Sequence, residues 1–139
     1  MELDFAFLAD SAEVMGGKLY VLGGAIDTFW VQSLPVTLPR ITLALRILLS
    51  PAETGRQHSL EIILLDEDGK KLNNINGNFN VERSSNLALG MKQPFCVALN
   101  FFNLRFDKMG SCSIEILING TSLKSVPLRV VQTTLAPAS

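Results

Sequence analysis

Charge is scarce in this sequence: Asp, Glu, Lys and Arg make up 18% of its 139 residues, where soluble domains usually carry about a quarter. Mean hydropathy is positive, +0.29. Twelve basic residues face thirteen acidic ones, for a formal net charge of -1. Without surplus Lys and Arg there is no electrostatic reason to bind a phosphate backbone, so no nucleic-acid partner is expected. No window approaches the roughly 18 apolar residues that span a bilayer, so no membrane association is expected either. The opening Met-Glu-Leu-Asp lacks the basic n-region of a secretory signal. The expected compartment is the cytoplasm.

Histidine and cysteine are nearly missing as well. His58 is the only histidine, which excludes any site needing two and weakens triad and zinc proposals. Beside Gln57 and Ser59 at a strand start, it reads as a surface or edge residue. Cys96 and Cys112 are too far apart for a Cys-x-x-Cys zinc pair. Phe95, Val97, Leu99 and Phe101 share one strand phase, which turns Cys96 to the opposite face, while Cys112 is in phase with Ile114, Ile116 and Ile118. Sulfurs pointing to different sides of a sheet do not form a disulfide.

Helical periodicity is absent from every long window, whereas two-residue alternation recurs throughout. Leu3, Phe5 and Phe7 alternate with Glu2, Asp4 and Ala6; Gly16-Gly17 turns the chain into Lys18 to Leu22, and Gly23-Gly24 precedes a strand through Trp30. The segment from Leu34-Pro35 to Leu38-Pro39 reads as a crossing loop, because each proline removes a ladder donor. Ile41, Leu43, Leu45, Ile47 and Leu49 form the cleanest alternation, with Thr42, Ala44 and Arg46 on the other face. Leu60, Ile62 and Leu64 follow in phase, then the Asp66 to Gly69 turn and an asparagine-rich arm to Phe79. The stretch from Val81 to Leu89 shows no pattern. Phe95 to Phe102 is a strand, followed by a connection through Arg105 and Asp107. Cys112 to Ile118 and Ser122 to Val131 flank Asn119-Gly120, a strong hairpin signal. About eight to ten short strands predict an all-β, antiparallel two-sheet sandwich of immunoglobulin-like or jelly-roll-like type. It forms one domain over 1–131, with a flexible tail over 132–139.

Few residues promise chemistry. Asp66-Glu67-Asp68-Gly69 matches the opening of a calcium loop, but no ligand pattern continues through Leu72 and Gly77 stands where the twelfth-position glutamate is needed, so a solvated hairpin turn is the plainer reading. Gly16-Gly17-Lys18 lacks the spacing of a phosphate-binding loop. Trp30, near Phe29 and Tyr20, could stack on a sugar ring, and with Asp66 and Asp68 it marks a possible ligand loop. No catalytic residue, metal ligand or cofactor is assigned.

The opening ELDFAFLADSAEVMGGKLYVLGGAIDTFW, with Leu38-Pro39-Arg40 and Leu43-Ala44-Leu45-Arg46, resembles a family of small uncharacterised bacterial or phage proteins. The likeness extends over His58 to Gly69 and Gly110 to Val130. It implies a β-sandwich and supplies no activity.

What remains unexplained is apolar surplus. Ile62-Ile63-Leu64-Leu65, Ile47-Leu48-Leu49 and Phe101-Phe102 place large apolar side chains on both faces of a strand, and one core covers one face. Leu48, Ile63, Leu65 and Phe102, out of phase with the core, are the expected contact residues of a non-catalytic binding or assembly module that self-associates or docks on another protein. A carbohydrate- or calcium-binding module is the alternative; a hydrolase using His58 or loop acids is less expected.

Overall fold

The computed structural model describes residues 1–133. They form ten strands: β1 (Glu2–Ala9), β2 (Ser11–Met15), β3 (Lys18–Leu22), β4 (Thr28–Val31), β5 (Val36–Leu49), β6 (Gln57–Leu65), β7 (Lys71–Asn80), β8 (Gln93–Phe106), β9 (Gly110–Ile118) and β10 (Thr121–Gln132). A single 3-10 turn, Pro51–Glu53, links β5 to β6. The fold is all-β. A three-stranded sheet, β1-β5-β8, faces a five-stranded sheet, β4-β10-β9-β6-β7, and the β2-β3 hairpin stands apart from both. All pairings are antiparallel except that of β4 with β10, which is parallel.

Alternation decides which side chains meet between the sheets. Ile41, Leu43, Leu45, Ile47 and Leu49 of β5 are buried against Leu60, Ile62 and Leu64 of β6, Ile114, Ile116 and Ile118 of β9, and Val126, Leu128 and Val130 of β10. Each fully buried aliphatic side chain contributes about 1.5–3 kcal/mol, so this interleaved layer is the main driving force for folding.

Two expectations fail, for one geometric reason. Pro39 lies inside β5 and not in a crossing loop. The ladder between β1 and β5 begins only at Ala9 opposite Thr42, so residues 36–41 of β5 are bonded through β8 alone. Register passes directly from Leu38–Leu104 to Arg40–Phe102, and a proline is tolerated in a stretch with one free edge. Opposite it, Asn103 sits at φ 52. Past this step the phase of β8 changes without any slip of register, from Phe95, Val97, Leu99 and Phe101 inward to Leu104 and Phe106 inward. A change of phase within one strand hides its continuity from a period-two reading, and the strand runs to Phe106 instead of yielding to a connection after Phe102.

At the other terminus, Gln132 pairs with Val31, so β10 runs one residue past the expected end of the domain. The rest of the expected flexible tail, from residue 134, lies outside the described residues.

The β2-β3 hairpin packs on the outer face of the three-stranded sheet, β2 against β5 and β8 and β3 against β8. Thr42 and Ala44, on the face of β5 turned away from the core, are completely buried beneath it. Gly24 permits the close approach, because a Cβ there would stand 2.9 Å from Val21 Cγ1 and 3.2 Å from Phe7 Cε2.

Candidate functional site

Three places could do something beyond holding the fold together: a charged pocket, a buried histidine, and the apolar residues left on the outside.

The pocket, about 280 Å³, lies between the β6-β7 turn and the β8-β9 connection. The turn builds itself: Asp66 Oδ1 accepts from the backbone N–H of Asp68 (2.9 Å) and of Lys70 (2.8 Å), and Gly69 N–H donates to Asp66 O at 3.1 Å. Asp68 pairs with Lys108 at 3.3 Å and Asp107 with Arg105 at 2.7 Å, so two pairs of opposite charges that line the pocket are matched within it. The Asp68 carboxylate, by hydrogen bond and by charge, raises the Lys108 amine above its ordinary range. Burial, with Asp66 and Glu67 adding to it, pushes the Cys112 thiol up; a thiol held protonated is not an activated nucleophile. Among the described residues no three His, Cys, Asp or Glu side chains converge as a metal site. Both cysteines are free.

His58, expected at the surface or on an edge, is 7% exposed on β6, between β9 and β7. Its Nε2 lies 2.7 Å from Glu53 O and its Nδ1 3.0 Å from Asn119 Nδ2. A carbonyl only accepts and an amide nitrogen only donates, so these partners fix the Nε2–H tautomer. The Asn119 side-chain oxygen takes the Ser59 N–H at 3.0 Å, and Phe79 stands 5.4 Å from the imidazole, ring centre to ring centre. The arrangement is a latch between the β5-β6 and β9-β10 connections. The sequence signal for it was Asn119 itself, whose φ of 53 suits the Asn-Gly turn and aims its amide back at β6.

The four residues expected to form an apolar contact face do not share one. Ile63 and Leu65 lie on the outer face of the five-stranded sheet; there Ile63 is flanked by Glu115 and Asn74, and Leu65 by Ser113 and Lys71. Leu48 and Phe102 lie on the outer face of the other sheet. Leu48 sits half-buried between Glu2 and Pro94, and Phe102 is 61% exposed. Nor does the possible ligand loop assemble: Trp30, on β4, is separated from the Asp66 to Asp68 turn by β10 and β9.

Phe102 has other company. It pairs with Arg40, Arg40 Nη2 donates to Ser11 Oγ at 3.2 Å, and Ser11 pairs with Leu22. Leu22, Tyr20 and Met15 share one face of the hairpin, turned away from the sheet, and are 73%, 55% and 62% exposed. Sequence reasoning placed Leu22 and Tyr20 on a strand but had no means of knowing which sheet the hairpin would cover.

Fold and surfaces together define a β-sandwich with a hairpin laid across one outer face and large apolar side chains exposed on that side. The chain belongs to a family of unknown function (DUF6941), whose model matches residues 4–131. No curated protein matches the sequence. Among solved structures, a glycosyl hydrolase family 2 (GH2) member from Bacteroides cellulosilyticus DSM 14838 is similar at 11% identity with a TM-score of 0.35. That similarity covers 68% of this chain and 13% of the other, so the chain spans a small part of that protein. At that score it carries no argument about activity.

Proposed function

We propose that this protein is a non-catalytic binding or assembly module of the cytoplasm, acting through the hairpin-bearing outer face of its three-stranded sheet and associating with itself. The observation that carries this reading is the exposure of Tyr20, Leu22 and Phe102 around the Ser11–Arg40 contact. Large apolar residues grouped on one surface mark contact sites, whereas single scattered ones do not. Both thiols are free, which suits a reducing compartment. The other outer face, where Glu61, Glu115 and Asn74 interleave with Ile63 and Leu65, has the mixed character of a solvated surface.

Sedimentation velocity at micromolar concentration tests this. The expected result is a species larger than one chain, shifted toward the single chain by Leu22→Lys together with Phe102→Lys. A monomer at every concentration, equally soluble with and without those substitutions, contradicts the proposal.

A further inference from the structure

The two sheets of the sandwich are unequal, three strands against five. At the end of β1 the core is shut: Leu8 and Val31 are buried, and Ile26 N–H donates to Leu8 O at 3.0 Å; at its start Leu3 and Ala6 are half-buried, on an edge that carries the charges of Glu2 and Asp4. At the opposite side, inward-facing residues of both edge strands are only half-buried. These are Ile75 and Phe79 on β7, and Phe95, Val97 and Leu99 on the first half of β8. Phe101, Leu104 and Phe106, further along β8, are buried.

The first half of β8 is also an unpaired edge. Its only ladder is with β5, and among the described residues no turn or loop backbone hydrogen bond reaches its outward side. Natural edge strands are usually blunted by charge, irregularity or brevity. β8 is fourteen residues long and carries no charged side chain from Gln93 to Leu104. Pro94 interrupts only its beginning, and the irregularity at Asn103 comes after the half-buried stretch. β7, the neighbouring edge, begins at Lys71, and its Asn73 side chain caps the backbone N–H of Asn74 at 2.7 Å.

We propose that the free edge of β8 pairs antiparallel with β8 of a second copy of this chain, joining two three-stranded sheets into one six-stranded sheet across a two-fold axis. The inference rests on the self-association proposed above and adds to the hairpin-bearing face the strand edge that adjoins it. A charge-free strand suits its own copy, since no like charges come opposite one another in an antiparallel pair. In such a pair the added strand supplies the fourth strand that the smaller sheet lacks, over Ile75 and Phe79. The axis falls within Phe95 to Leu99, where the inward side chains are least covered. Seven residues of paired edge, roughly 23 Å long, fall short of the about 800 Å² per partner of a standard interface. Tyr20 and Leu22, exposed on the strand that packs against β8, supply apolar area beside it.

Neighbouring amides of a strand point to opposite edges, which gives a paired test: Val97→Pro and Ala98→Pro. One removes a donor to β5 and the other removes only an outward donor. The variant that keeps the cooperative melt of the parent is expected to sediment as one chain under conditions where the parent sediments as two. A scan placing a single cysteine at each position from Phe95 to Leu99, with Cys112→Ser and Cys96→Ser elsewhere, is expected to give a disulfide-linked dimer under mild oxidation at the residue on the axis. If neither proline variant folds, that scan decides. A dimer that survives in the folded proline variant, or a scan with no cross-link in a protein that does dimerise, overturns the β8 pairing and leaves self-association standing. A parent that is monomeric throughout overturns both.

Discussion

The two lateral sides of this sandwich are closed by different means. At the end of β1 the chain seals its own core with backbone: Ile26 donates to Leu8 O, Asp10 N–H donates to Gly23 O at 3.0 Å, and Leu8 and Val31 behind them are buried. On the β7-β8 side, aromatic and polar contacts span the gap. Phe79 stacks on Phe95 at 5.4 Å, and His58 is held by Glu53 O and Asn119. The first arrangement shuts the core around Leu8, and the half-covered residues at the start of β1, Leu3 and Ala6, lie on an edge charged by Glu2 and Asp4. The second leaves apolar surface half-covered, and that is where a second chain has something to gain.

Truncating the same residue type on each side separates them most sharply. Leu8→Ala opens a cavity in a completely buried site and is expected to cost about 3 kcal/mol, whereas Leu99→Ala, half-buried, should cost about 1 kcal/mol in the isolated chain. Urea unfolding at sub-micromolar concentration reads both, and equal losses would break the distinction between a closed and an open side. Next in size is the latch. Asn119→Ala leaves the His58 Nδ1 and the Ser59 N–H without their partner and should lower stability by about 1–2 kcal/mol in the same experiment. An unchanged midpoint would mean that the aromatic stack alone holds the open side.

The latch has an acidic neighbour with its own pH signature. Burial raises the Glu53 carboxyl, but the hydrogen bond from the Met1 ammonium (2.6 Å), the backbone and side chain of Ser50, and the ammonium charge together outweigh it and lower the pKa to about 2. A group depressed in the folded state stabilises fully above its unfolded value, here 4.5, and that contribution is lost as pH falls through about 2. After discounting for a partly exposed side chain, the effect is on the order of 1 kcal/mol. Glu53→Gln should therefore flatten the fall in melting temperature between these two pH values; an identical slope in both proteins would contradict the pairing. The smallest effect is expected on the five-stranded sheet's outer face. Ile63→Lys, among Glu115 and Asn74, should cost under about 1 kcal/mol and leave the sedimentation profile unchanged, in contrast to Phe102→Lys.

Much of the fold was legible because alternation is a direct record of which side faces the core: β5, β6, β9 and β10 have the inward residues that their periodicity gives them. The failures sit where one residue breaks that record. Asn103 shifts the phase of β8, and Pro39 sits where only one neighbour needs its backbone, a fact about strand order that no local pattern contains. His58 was misread for a related reason, since its burial comes from Phe79, Glu53 and Asn119, as many as 61 positions away in the chain. Phe102 could be singled out as out of phase, but Leu22 and Tyr20, exposed on the same side of the sandwich, belong to a hairpin whose docking is purely tertiary. The apolar surplus was visible, and so was the need for a cover. That part of the cover comes from the chain's own β2-β3 hairpin, over Thr42 and Ala44, was not.

Amide hydrogen exchange, followed strand by strand at two protein concentrations, tests the contrast between the sides most directly. The expected result is protection along β1 that is independent of concentration, and protection of alternate amides within Gln93 to Leu99 of β8 that rises with concentration as the second copy adds. Exchange along β8 that is equally slow at both concentrations, in a protein shown to be monomeric, would mean that this edge is closed by its own chain and that the open side does not exist.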